Sequence, residues 1–528
     1  MGDGTLRGGV DNRGTIRPGN SIGTLTVDGD LSLESGSTLE IEIDNAGNSD
    51  KLVVTGAFSF ETGCVRVVPT ETMVGEQERL IVEAYTVEWP TAGVGQLSTA
   101  LLHSHLAPRL RLLTDPNGIE LNVTAIAFDD ASIAYTENQR SLGSALNQIA
   151  VDGGNDLTLA LQQLPTADEV RQAYNQLSGQ TTPSLAPVTV AGETRHVGMI
   201  AGRLRSAADG YARDGGLEES VDPLISGMDS VGVDAGRYLF GVGNGSPVLG
   251  DRPWGVWGKG YGLYGDRETA SGVPGYQYTV YGAGFGVDYH FTERLLLGLT
   301  GGYSDGDINY SGSRDSSDVS ATHGGLYGGY ETSRWYLDSI LTYADLDYET
   351  RRYVDLTDER LEGDPSGDML TGYIEAGLNW RRSERTLIRP LAAFQFSTLK
   401  IDSFTESGGD SALTFGDERY ESYKGSLGVE LTRQLFEHAD GFRMDLELRG
   451  RWVHEFGDTN ATFDAAFASD PGVTFRVSDE DISRNSAILG ADLDTWFTRQ
   501  TRLFIDYGTE LNPDNTIHLA SIGLEHRW

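Results

Sequence analysis

A chain of 528 residues is long for one ordinary domain and suggests two or three. Its formal charge of −38, from 40 basic and 78 acidic side chains with no Lys/Arg cluster, argues against nucleic-acid binding. Hydrophobic residues make up 38% and mean hydropathy is −0.31; no apolar run of about 18 residues is present, so no transmembrane helix can be drawn. A membrane barrel escapes that test, because lipid-facing and lumen-facing residues alternate along each strand and average out. The opening MGDGTLRGG has no basic stretch followed by an apolar one, so no signal peptide is expected there. The chain therefore reads as a C-terminal piece of a longer protein or one with a misplaced start. The single cysteine, Cys64, allows no internal disulfide. That suits a chain that crosses a narrow pore unfolded, and also a lineage that uses little cysteine.

Residues 1–128 read as short strands between Gly/Asn/Asp turns. Thr24–Val27, Thr38–Ile43, Lys51–Val54 and Glu120–Val123 are examples, with turns at Asp28-Gly29, Asn45-Ala46-Gly47 and Asp115-Pro116-Asn117-Gly118. Strands this short suit the stacked coils of a parallel β-helix better than a large open sheet. A β-sandwich is the alternative.

Residues 129–253 form a helical linker. Leu142, Leu146 and Ile149, then Leu157, Leu161 and Leu164, recur at three- and four-residue steps, and Thr166 with Glu169 makes a capping box. The stretch 184–208 is rich in Ala, Gly, Val and Thr and carries Arg195, Arg203 and Arg205; residues 213–253, rich in Gly, Asp and Ser, read as a mobile loop.

From Trp254 the period becomes two and stays there. In Phe442–Val453 one face carries Phe442, Met444, Leu446, Leu448 and Trp452, and the other Arg443, Asp445, Glu447, Arg449 and Arg451. A closed ring with lipid outside and water inside produces that split. About twelve such segments follow, starting near 254, 276, 294, 318, 334, 368, 386, 418, 442, 482, 501 and 515. Tyr and Trp gather near their ends, as at membrane interfaces. Connections around 311–316, 355–366, 406–417 and 458–479 read as long and polar, while Thr332-Ser333, Arg382-Ser383 and Arg499-Gln500 read as tight turns. The fold class is thus all-β: a transmembrane antiparallel barrel of about twelve strands over 254–528.

Three stretches stand out. They are Gly14-Thr15-Ile16-Arg17-Pro18-Gly19-Asn20-Ser21-Ile22-Gly23-Thr24-Leu25 with Ser49–Val54, then Gln176-Leu177-Ser178-Gly179, and Arg252-Pro253-Trp254 leading into Gly258–Gly265. On these the sequence resembles the autotransporters of type V secretion over essentially all its length. The first resembles the last coils of a passenger, the second the segment between passenger and barrel, and the third the first barrel strand. The resemblance implies that the chain anchors in the bacterial outer membrane and exports its own N-terminal passenger to the cell surface. It also implies that residues 1–128 end a right-handed parallel β-helix in an autochaperone-like part, while a helix near 184–208 threads the pore.

In that helix Ala186, Ala191, Gly192, Gly198, Ala201 and Gly202 would keep it slim. Its Arg195, Arg203 and Arg205 are expected to pair with lumen carboxylates such as Glu430, Asp445, Glu447 and Asp492. Barrel-assembly machinery would read Ser521, Gly523 and Trp528, with His526 in a place usually apolar; Ile522 and Leu524 should face lipid, and Ser521 and Glu525 water. Expected partners are outer-membrane lipid, that machinery, periplasmic chaperones, and a host or cell-surface ligand if the passenger is an adhesin. An enzymatic passenger lying upstream is the other alternative. No paired asparagines lie near 184–212, so passenger release by cleavage there stays open.

Several motifs carry no chemistry on this reading. Gly19-Asn20-Ser21-Ile22-Gly23 fits G-x-S-x-G, but strands and turns surround it where a hydrolase elbow needs a strand before and a helix after. Gly260–Gly265 fits G-x-G-x-x-G without a following helix; glycine beside tyrosine leaves room for neighbouring rings. The nine histidines lack metal-ligand spacing, and no cofactor and no catalytic role are expected.

Overall fold

The computed structural model describes residues 2–60, 64–88, 105–114, 117–214, 254–270, 272–438, 442–498 and 500–527. Within the first region, strands pair in parallel with the strand one coil further on. Thr24–Asp28 lies between Gly4–Arg7 and Lys51–Phe60, which in turn pairs with Glu76–Glu88. Thr38–Ile43 stacks between Thr15–Ile16 and Cys64–Pro69. Leu25 sits beside Leu52 and Leu52 beside Val82; Ile41 sits beside Val67 and Leu31 beside Phe58. All belong to one buried apolar cluster. Like side chains on like positions is what repeated short strands achieve when each coil covers the last.

Between coils, the Asp50 carboxylate accepts from the backbone N–H of Gly23 at 2.9 Å and of Glu42 at 2.9 Å. Burial pushes its pKa up to about 6, against the pull of these two donors. The ladder changes sense at its end. Asn117–Ala125 runs antiparallel to both Glu76–Glu88 and Leu106–Thr114, closing the stack.

Three helices follow: α1 (Glu137–Val151), α2 (Asp156–Gln163) and α3 (Ala167–Leu177). Each begins in a capping box, at Thr136/Gln139, Asn155/Thr158 and Thr166/Glu169. They join the coils to the barrel mouth. The Gln162 side chain exchanges hydrogen bonds with the backbone of Met73 (2.7 and 2.9 Å), and Asn138 does the same with Ser478 (2.9 and 2.9 Å). Gly179 follows α3 at φ +67, where a Cβ would stand 2.7 Å from the Phe415 ring, so the Gln176–Gly179 segment needs glycine there.

The barrel has twelve strands: β1 (Trp254–Arg267), β2 (Tyr276–His290), β3 (Leu295–Tyr310), β4 (Ser316–Glu331), β5 (Trp335–Val354), β6 (Ser366–Leu378), β7 (Thr386–Ile401), β8 (Glu418–Glu437), β9 (Arg443–Glu455), β10 (Asn485–Trp496), β11 (Thr501–Asn512) and β12 (Asn515–Arg527). Each is antiparallel to its neighbours, and β1 pairs with β12 from Gly255 opposite Arg527 to Arg267 opposite Asn515, so the ring has no edge. Leu299, Leu326, Leu427, Leu489 and Leu524 are exposed on the outer wall, whereas Glu375, Arg389, Glu430 and Glu525 are at most 1% exposed inside. A water-soluble protein has the opposite arrangement. Lipid around the ring makes it favourable.

Several readings of the connections change, that of 355–366 included, where Glu359–Gly363 is a strand antiparallel to the end of β5. The stretch 311–315 is a short turn between β3 and β4, and the strand Trp380–Ser383 carries the next turn to residues 384–385. The stretches 406–417 and 458–479 are not plain loops either. Phe404–Thr405, Leu413–Phe415, Thr462–Phe467 and Thr474–Ser478 form a small four-stranded sheet over the barrel mouth. Its Leu413, Phe415, Phe463 and Phe467 share a core with the three helices. The turn expected at Asp115–Gly118 lies partly outside the described residues, as do the Arg499-Gln500 turn and the 213–253 loop beyond residue 214.

Candidate functional site

Helix α4 (Leu185–Asp214) continues from a 3-10 turn at Thr182–Ser184, with Pro183 fixing the first turn. Its 30 residues rise about 45 Å, enough to cross a hydrocarbon layer of about 30 Å, although the helix is too polar to do so in contact with lipid. The ring shields it. Leu185, Val188, Val197, Met199, Ile200 and Leu204 are buried, and so are Glu193, Arg195, His196, Arg203 and Arg205.

The three arginines each meet lumen acids. Arg195 donates to Asp506 on β11 at 2.7 Å. Arg203 holds both oxygens of Asp288 on β2 at 2.8 Å and reaches Glu525 on β12 at 2.7 Å. Arg205 lies 3.6 Å from Glu430 on β8 and 3.9 Å from Glu447 on β9. Planar guanidinium groups satisfy two carboxylates at once, and each buried acid would otherwise be an uncompensated charge. Two expected carboxylates stand elsewhere: Asp445 pairs with Arg443 of its own strand at 2.9 Å, and Asp492 is 3.9 Å from Arg449 on β9. The spacing along one strand did not separate them from the true partners, because barrel stagger decides which rung meets which helix turn.

Asp288, Asp506 and Glu525 were missed as partners of α4. Their signal was present, since each sits on the inward register of its strand. Also missed was a cluster around Glu193, whose carboxylate faces His323 Nδ1 at 2.9 Å and accepts from the Thr342 hydroxyl. His323 Nε2 is 3.0 Å from the Ser304 hydroxyl, and His196 stacks on His323 with ring centroids 4.1 Å apart. These contacts seat the middle of α4 on β3, β4 and β5.

Room for the helix comes from the wall rather than from α4. A Cβ at Gly284 would stand 2.2 Å from Met199, at Gly302 2.6 Å from His196, and at Gly255 2.7 Å from Arg203. On α4 itself a Cβ at Gly198 meets nothing within 4 Å, so slimness is not needed there. The remaining named positions lie in the first region and on the last barrel strand. Pro18 and Gly19 bridge to Gly2 in a turn, Gly19 at φ +84, and Asn20, Ser21 and Gly23 complete it before Thr24–Asp28 begins. A turn between strands is not the strand-to-helix elbow of a hydrolase. At the far end Ser521 and Glu525 point into the lumen and Ile522 and Leu524 outward, with Gly523 between them. His526 shares the outward register and lies 3.0 Å from the Thr501 hydroxyl; the side chain of Trp528 is outside the described residues.

Residues 256–508 match the family model described as autotransporter β-domain. The barrel belongs to that family. Over 538 aligned residues, 98% of this chain is similar to an extracellular serine protease of Serratia marcescens at 24% identity, covering 50% of that protein. The chain thus spans about half the length of this relative. Outer membrane protein A of Rickettsia conorii is 23% identical over 52% of this chain and 14% of its own length. Among solved structures, the translocator domain of autotransporter NalP from Neisseria meningitidis aligns at 14% identity and TM-score 0.44, over 64% of this chain and 98% of that one. The β-domain of the Bordetella autotransporter BrkA aligns at 19% identity and TM-score 0.40, over 52% and 99%. As an autotransporter β-domain, the barrel is an outer-membrane translocator, and α4 lies inside its pore.

Proposed function

We propose that this chain is the C-terminal part of an autotransporter that carries its own N-terminal portion to the cell surface and anchors it there. The observation that carries the reading is α4 itself. A 30-residue helix bearing three buried arginines joins the external coils to the inside of a closed lipid-facing ring. Such a connection leaves the coils on one side of the membrane and the start of β1 on the other. Residues 1–128 are then the last coils of a β-helical passenger, as their parallel ladders support. Folding of those coils outside, burying rung on rung, supplies a bias against return that needs no nucleotide. Ser521, Gly523, His526 and Trp528 are the segment offered to barrel-assembly machinery, with periplasmic chaperones guarding the chain before insertion.

A second reading concerns the passenger. The likeness to proteins named extracellular serine protease, over half their length, favours a proteolytic passenger preceding residue 1 over an adhesin. Its catalytic residues would lie outside this chain. Surface proteolysis of intact cells making the chain behind a signal peptide tests the first reading. Residues 1–130 should be lost and a core starting between 180 and 250 retained; full protection of residues 1–130 would refute surface display.

A further inference from the structure

Helix α4 does not fill the ring evenly. It packs against β1, β2, β4, β5 and β7 and leaves a cavity of about 240 Å³ towards β8–β12. Seven basic and five acidic side chains line that cavity, in a chain whose total charge is −38. Four of its five acids are already engaged, Asp458 by the backbone N–H of Glu421 at 2.8 Å; the fifth, Asp492, lies 3.9 Å from Arg449 and keeps one oxygen with no hydrogen-bond partner among the described residues. Asp506 holds Arg195 and Arg449, Glu510 accepts from Ser486 at 2.7 Å, and Glu455 accepts from Ser422 at 2.6 Å.

Two of its cations are not. Among the described residues, Lys259 on β1 has no hydrogen-bonded or ion-paired partner, although it is only 7% exposed; its ammonium lies 4.8 Å from the Phe504 ring centroid. Lys424 on β8 stands opposite Glu455 of β9 in the strand register and lines the same cavity, with no ion pair closed to it among the described residues. Lys259 is the sixth residue of β1, near the end where the ring closes on Arg527, and Lys424 is the seventh residue of β8, near the mouth sheet. Arg449 and Arg451 lie between them on the same cavity. A buried ammonium with three donors and only a ring face is poorly satisfied until an anion or water reaches it.

The geometry points to a path for small inorganic anions beside the seated helix, with Lys259 as its inner binding site and Lys424 at its mouth. Rings and files of Lys and Arg select anions in pores by this means. Chloride and inorganic phosphate share the required chemistry, and phosphate, with more charge and acceptor oxygens, should hold longer at Lys259 and slow chloride. The inference rests on the membrane-barrel reading above and adds to it a permeant class.

The full chain in planar bilayers under a KCl gradient tests it, after heat-modifiable migration has shown that each protein is a folded barrel. The wild type should pass chloride in preference to potassium, with phosphate reducing the current. Lys259→Gln should lower the chloride preference by about threefold and abolish the phosphate effect, and Lys424→Gln should lower the preference alone. A cation-selective wild type, a folded barrel that carries no current, or a Lys259→Gln pore that keeps both properties would overturn the proposal. Failure of the wild type to give a heat-modifiable barrel would instead overturn the membrane reading on which it stands.

Discussion

The coil stack and the barrel use the same period-two alternation and give its two faces opposite chemistry. In the coils the inward residues are Leu25, Val27, Leu52 and Val54, all at most 9% exposed. In the barrel the inward residues include Asp445, Glu447 and Asp506, while Leu448 and Leu489 stand outside at 46% and 52% exposure. Alternation alone says only that a strand has two faces. Which face carries the charges says what surrounds the sheet: water outside the coils, lipid outside the barrel.

The largest blow to this contrast is charge reversal inside the ring. Arg195→Glu with Arg203→Glu leaves Asp506, Asp288 and Glu525 facing new anions, and breaking each buried pair should cost about 3–5 kcal/mol. Single-channel conductance should rise as α4 leaves. Gly302→Leu should open the pore by crowding His196 without altering charge, so agreement between the two variants isolates seating of the helix as the cause.

Next comes the outer wall. Leu489→Arg should destabilise the barrel by about 2–4 kcal/mol in urea titrations followed by gel mobility if it sits near the bilayer midplane. Lys or Arg on the outward face of the coils, for instance at Thr26, should change coil stability by less than about 0.5 kcal/mol. Equal penalties at the two sites would erase the distinction between them.

A smaller effect concerns the junction between coils and helices. His105 is buried against Phe128, and its Nε2 lies 3.2 Å from the Tyr174 hydroxyl, which donates to the Phe128 carbonyl at 2.9 Å. Burial lowers the His105 pKa to about 4. The folded state therefore holds a neutral ring where the unfolded chain takes a proton near 6.5. Stability is complete above pH 6.5 and falls as the pH drops towards 4, by up to about 3 kcal/mol. Hydrogen exchange at Tyr174 should accelerate over that interval, and His105→Phe should remove the dependence.

The smallest change is at the C-terminal strand. His526→Phe replaces a polar ring on the outward register and should shift barrel stability by less than about 1 kcal/mol, while raising the yield of assembled barrel in cells. A loss of assembly would count against reading this strand as an assembly signal.

Barrel strands were legible because lipid and water write opposite chemistries on adjacent residues. The starts at 254, 276, 386, 418, 501 and 515 coincide with the structure, and the others fall within three residues. What escaped was non-local. Phe404, Leu413, Phe415, Phe463 and Phe475 are scattered among polar residues, and only their meeting over the mouth makes them a core. Arg203 announced a pore helix, but its choice of Asp288 and Glu525 is fixed by where β2 and β12 pass it, which no single strand records. The wall glycines at 255, 284 and 302 were legible as small and not as the space for a helix.

The most direct test places a nitroxide in turn at positions 444–449 of β9, with Cys64→Ser removing the native thiol, and reads collisions with oxygen and with a water-soluble nickel chelate in liposomes. Oxygen should dominate at 444, 446 and 448, and the chelate should never exceed oxygen there. Accessibility without a two-residue beat, or chelate contact on the leucine side, would contradict a ring set in lipid.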